Sequence, residues 1–153
     1  MGKTIKINEK QNITDCNIKI IFQNIYTGKK RYSYYKNTIT ATGKAATANW
    51  MTTYITYGAV CTGAFPANPA VATILVTELD RVTLAAISSS GGIVSTTSFF
   101  GAADAIGTLT GFGLFGGTAS ATPDSGTLIN YAAISEVKTT SETMTVNCIV
   151  TLA

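Results

Sequence analysis

From residue 54 onward, apolar and polar side chains of this 153-residue chain alternate in short runs that end at glycine, proline or serine clusters. The clearest run is TMTVNCIVTL (143–152). There Met144, Val146, Cys148, Val150 and Leu152 alternate with Thr143, Thr145, Asn147, Ile149 and Thr151. A period of two sends one face to a core and the other to solvent or a neighbour. NIKIIFQNI (17–25) has the same period through Ile18, Ile20 and Phe22, YTGKKRY turns the chain at Gly28, and RYSYYKNTIT resumes with Tyr32 and Tyr34. Residues 17–40 therefore predict a β-hairpin. Only GKAATANWMTT (43–53) predicts a helix, with Ala46 and Trp50 at i, i+4 expected to bury one short face.

TYITYGAVCT is expected to place Ile55, Tyr57, Ala59 and Cys61 on one side before Gly63, Pro66 and Pro69 break the run. AVATILVTEL fits a strand or a short helix equally. RVTLAAISSS and GIVSTTSFF flank Gly91-Gly92, the dipeptide of a tight hairpin. GTLTGFGLFGG, the turn-rich TASATPDSG and TLINYAAIS complete the series. Many strands, little helix and frequent turn signals predict an all-β fold: an antiparallel β-sandwich, jelly-roll or Ig-like, with one short helix. The expected organisation is a basic arm over residues 1–16 and a single sandwich domain over 17–153.

Composition sharpens this picture. Charged residues are 12% of the chain whereas 26 residues are threonine, so the polar surface rests on hydroxyls and amides. Apolar residues reach 46%, enough for a full core. Charge is uneven. Nine basic residues against Glu9 and Asp15 leave seven net positive charges through position 44, whereas Arg81 and Lys138 against six carboxylates leave four net negative charges after it. A basic front can dock on an acidic partner, or its lysines can simply discourage edge pairing. The first ten residues lack the apolar stretch of a secretory signal, and no segment has the run of about 20 apolar residues that spans a bilayer, so synthesis in the cytoplasm and no membrane partner are expected.

TGFGLFGG contains a literal G-x-G-x-x-G in Gly111, Gly113 and Gly116. That fingerprint binds a pyrophosphate only where it joins a strand to a helix N-terminus. Here it leads into TASATPDSGT, with Pro123 and Gly126 and no helical face. No cofactor is expected, and the glycines read as sites of close backbone approach.

The chain has no histidine, which excludes Ser-His-Asp and Cys-His catalysis. Three cysteines, Cys16, Cys61 and Cys148, form neither a disulfide framework nor a metal motif, and no metal is expected. Glu78 and Asp80 of TELDR could serve acid-base chemistry, but Arg81 or a turn backbone is expected to satisfy them. Tyr26, Tyr32, Tyr34 and Tyr35 lie beside Lys29, Lys30, Arg31 and Lys36. Such a mixture can stack bases or sugars, or pack across strands and at a protein interface. The interface reading is favoured, with Lys3, Lys6, Lys10, Lys29, Lys30, Arg31, Tyr32 and Tyr34 as its residues.

NTITATGKAATANWM, TELDRV, TGFGLFGG, SGTLINYAAIS and KTTSETMTVNCIV, taken in order, resemble small β-rich structural proteins of tailed-phage virions, of the tail, fibre or head-associated type. The resemblance runs from about Asn17 to Leu152. It implies a sandwich that acts by assembling, as a head decoration, collar or tail component. It implies other virion proteins and further copies of the chain as partners rather than nucleic acid, a place in the virion, and no enzymatic activity. The alternative is a carbohydrate-binding or receptor-binding module that uses exposed tyrosines and the Trp50 region as a platform.

Overall fold

The computed structural model describes residues 16–37 and 39–152. Residues 1–15 of the expected arm, with Lys3, Lys6 and Lys10, lie outside them. The elements are β1 (Cys16–Gln23), β2 (Lys30–Asn37), α1 (Ala41–Tyr54), β3 (Ile55–Cys61), a 3-10 turn (Pro69–Val71), β4 (Glu78–Ser90), β5 (Ile93–Phe100), β6 (Gly107–Gly116), β7 (Thr127–Lys138) and β8 (Met144–Thr151). The fold is the expected one: antiparallel all-β with one helix.

β1 and β2 form a two-stranded sheet of their own, with Tyr32 opposite Ile21 and Lys30 opposite Gln23. The other six strands form one sheet in the order β7-β6-β3-β4-β5-β8. That sheet curls until its two edges face each other, and the Asn130 amide of β7 donates to Cys148 Sγ of β8 at 3.3 Å. The result is a sandwich made from a single, nearly closed sheet. One core fills it. Val94 and Phe100 from β5 and Leu109, Phe112 and Leu114 from β6 are its buried centre, and Ile129, Ile134, Met144, Val146 and Cys148 pack round them. The alternation expected of β8 is present, with Met144, Val146, Cys148 and Val150 half-buried between exposed neighbours.

The helix begins where Thr40 caps it, its hydroxyl accepting from the Gly43 amide at 3.1 Å. It ends in Thr52-Thr53-Tyr54-Ile55, a run that favours strand. The Thr52 and Thr53 hydroxyls donate back to the Asn49 and Trp50 carbonyls. Its buried residues are Ala48 and Met51, whereas Ala46 is exposed and Trp50 is 55% exposed. The expected Ala46-Trp50 face is thus the solvent face. The helix lies on β4 and β5, and Ala48 and Met51 are the side chains turned to the core.

β3 departs from a one-sided strand because it is central and covered on both faces. Tyr57, Ala59 and Cys61 share a face as expected, but it belongs to a second cluster with Leu75, Phe115, Leu128 and Tyr131. Val60 faces the main core, and an irregularity between Ile55 and Tyr57 turns Ile55 to that core too. The ambiguous AVATILV stretch is neither strand nor α-helix. It makes the short 3-10 turn, buries Leu75 under the second cluster, and enters β4 through Thr77 at φ 57°. Gly91 (φ 57°) and Gly92 (φ 87°) turn β4 into β5 as their dipeptide predicts.

Candidate functional site

The GFGLFG glycines sit inside β6, which runs into a turn and not a helix. A Cβ at Gly113 would lie 2.8 Å from Leu128 Cδ1, 2.9 Å from Leu75 Cδ2 and 3.0 Å from the Asn130 carbonyl. Close packing between β7 and the 62–77 loop therefore accounts for that glycine.

Glu78 and Asp80 are occupied structurally. The Arg81 guanidinium grips Glu78 through Nε (2.5 Å) and Nη2 (2.7 Å), and both side chains are buried. Nη1 donates to the Ser120 and Ser125 carbonyls at 3.0 and 3.1 Å, and the Phe115 ring centroid lies 4.4 Å from the guanidinium carbon. Asp80 accepts from the amides of Arg81 and Ala105, both at 2.8 Å. Beside this pair, burial and the nearby Glu78 carboxylate push the Asp124 carboxyl up from its ordinary value. These groups pin the 117–126 loop to β4. Among the described residues no group of three or more His, Cys, Asp or Glu could hold a metal ion.

Cys61 and Cys148 are structural as well. Cys61 is fully buried, with its sulfur 3.3 Å from the Tyr131 hydroxyl, and burial followed by this contact raises the Tyr131 phenol. Burial likewise pushes up the Cys148 thiol, against the Asn130 amide, which stabilises the thiolate. The raised Cys148 thiol is the opposite of the depressed one a nucleophile needs.

Two surfaces remain. The first is the β1–β2 hairpin. Asn24 builds its tip, the side-chain oxygen accepting from the Tyr26 and Thr27 amides at 3.0 and 2.8 Å while Gly28 takes φ 70°. Ile25 is 85% and Tyr26 90% exposed there, and Lys29, Lys30 and Arg31 follow at once. Tyr32 is half exposed, and Tyr34 lies two positions along the same strand, opposite Lys19. Lys29, Lys30, Arg31, Tyr32 and Tyr34 are thus brought together on one hairpin. Ile25 at the tip is an addition that a hydrophobic-period reading assigns to the strand.

The second surface is a seam. β7 and β8 follow one another in sequence yet are the two edges of the sheet, each paired only on its far side among the described strands. Between the Asn130–Cys148 contact and the 139–143 turn they part, leaving a groove of about 590 Å³. Its lining includes Ile134, Glu136 and Lys138 from one wall and Met144 and Val146 from the other. Glu136 pairs with the fully buried Leu109 and shares its inward face, yet it is exposed. Lys138 is 4% exposed and its amine donates to the Ala102 carbonyl at 3.3 Å. No local sequence signal marks this groove, because it depends on which distant strands pair. No helix of the described residues is long and apolar enough to cross a membrane. No protein-family model matches the chain, and no curated protein matches it.

Proposed function

We propose that the chain is a structural component of a tailed-phage virion, a head decoration, collar or tail protein, that acts by binding copies of itself and neighbouring subunits. The observation that carries this reading is the pair of strand edges at the β7–β8 seam that no described strand fills. An open edge is a ready template for another strand. The exposed hairpin adds to it. A two-stranded sheet is marginal by itself in water, and this one carries Ile25, Tyr26 and Tyr32 on its surface, so a partner that covers it would stabilise it. A low charge density and threonine-rich faces suit contacts made by shape and backbone hydrogen bonding.

Light scattering of the purified full-length chain across a concentration series, with mass spectrometry of phage particles assembled in cells that express a tagged copy, tests this. Masses at whole-number multiples of the chain and stoichiometric recovery in particles are expected. A monomer at every concentration that never enters a particle would overturn the reading.

Trp50 favours a second reading, as a carbohydrate-binding module. It is 55% exposed and stacks on Tyr54 with centroids 4.6 Å apart, a flat aromatic surface on which a sugar ring can lie. Glycan-array binding lost in W50A would favour it over assembly.

A further inference from the structure

The seam has a definite chemical character, and one segment of this chain matches it. On β7, Glu136 and Ile134 face inward two residues apart, and Met144 and Val146 face them from β8. The missing strand must therefore present two apolar side chains at a spacing of two, followed on the same face by a cation. Read from Ile7 back to Lys3, KTIKI has that pattern: in an extended strand Ile7, Ile5 and Lys3 would share one face and Thr4 and Lys6 the other. With Lys3 beside Glu136 and Ile5 beside Ile134, the added strand runs antiparallel to β7. The rim acids Glu136 and Glu142 are opposite in charge to Lys3, Lys6 and Lys10.

We infer that the β7–β8 seam is an acceptor for residues 3–8 of a second copy of this chain, which close the sheet by strand addition. The inference rests on the assembly reading above and supplies its contact. Backbone hydrogen bonds to the open edges provide affinity, Ile5 and Ile7 cover Met144, Val146 and Ile134, and the Lys3–Glu136 pair sets register. Exposed Glu136, on the inward face of its strand, is then a residue that awaits a partner.

The test uses the full-length chain and four forms: wild type, K3E, E136K and K3E/E136K. Association is measured by light scattering, and hydrogen exchange is followed at residues 134–138 and 144–147. Each single reversal is expected to weaken association about tenfold or more, and the double reversal to recover most of that loss. The seam amides are expected to be protected only in the associated state. If wild type assembles and all four forms assemble alike, the seam proposal fails while the assembly reading stands. If wild type stays monomeric with an unprotected seam, both fail. If the seam is protected in a chain that stays monomeric, its own arm fills it and the proposal of a second copy is overturned.

Discussion

Arg81 and Glu78 lie three residues apart in the same strand, with both side chains buried, and the guanidinium meets the carboxylate through two parallel hydrogen bonds of 2.5 and 2.7 Å. Alternation along an ideal strand would send positions three apart to opposite faces. The shifted register between Val60 and Cys61, where Glu78 pairs with Cys61 and Asp80 with Val60, brings them together. What looks in sequence like a carboxylate pair for chemistry is a clamp on the 117–126 loop.

Breaking that clamp on one side leaves a buried charge unpaired, so R81A is expected to cost about 3–5 kcal/mol, and R81K nearly as much because an ammonium lacks the bidentate fork. The double variant E78M/R81M removes both charges and is expected to recover most of the loss. Denaturant melts of the three variants check this.

Asp124 gives a pH dependence of known sign. Its folded-state pKa is raised above the ordinary 3.8, by burial first and Glu78 second. Its contribution to stability is therefore fully present below that ordinary value and is lost as pH rises through the folded pKa. D124N is expected to be slightly more stable than wild type near neutrality, by no more than a few tenths of a kcal/mol because the side chain is exposed and solvent screens the Glu78 repulsion, with the difference vanishing in stronger acid. Asparagine also tolerates the φ of 58° at this position. Thermal melts from pH 3 to 7 measure it.

Ser98 on β5 is fully buried, and its hydroxyl has no hydrogen-bond partner among the described residues. An unpaired buried hydroxyl costs about 1–3 kcal/mol. S98A is expected to raise stability by about 1 kcal/mol, seen as a higher denaturation midpoint at unchanged slope.

Valine at Gly113 would force side-chain atoms against Leu75, Leu128 and the Asn130 carbonyl. G113V is expected to lose about 1–3 kcal/mol through overpacking. Wild type is expected to show no thermal shift with a dinucleotide, whereas a saturable shift would reopen the phosphate reading of these glycines.

The tip residues should separate assembly from folding. Ile25 and Tyr26 are almost wholly exposed, so I25S/Y26S is expected to leave stability within about 0.5 kcal/mol of wild type. Incorporation into particles is expected to fall, as read by mass spectrometry.

Residue order alone determined most of the elements, the 70–76 stretch excepted. Period-two runs named β8 and the hairpin, Gly91-Gly92 named the β4–β5 turn, and the alanines of 43–53 named the helix, because each is a preference of neighbouring residues for one backbone geometry. The absence of histidine and the turn after β6 likewise disposed of histidine catalysis and of the dinucleotide motif. Tertiary structure decided the rest. Which face of β3 meets which cluster, why Ala48 and Met51 are buried while Trp50 is not, and that successive strands β7 and β8 part to leave a seam all follow from pairings between residues far apart in sequence. Such pairings are selected by the burial and hydrogen bonding of the whole sheet, and a local pattern carries no record of them.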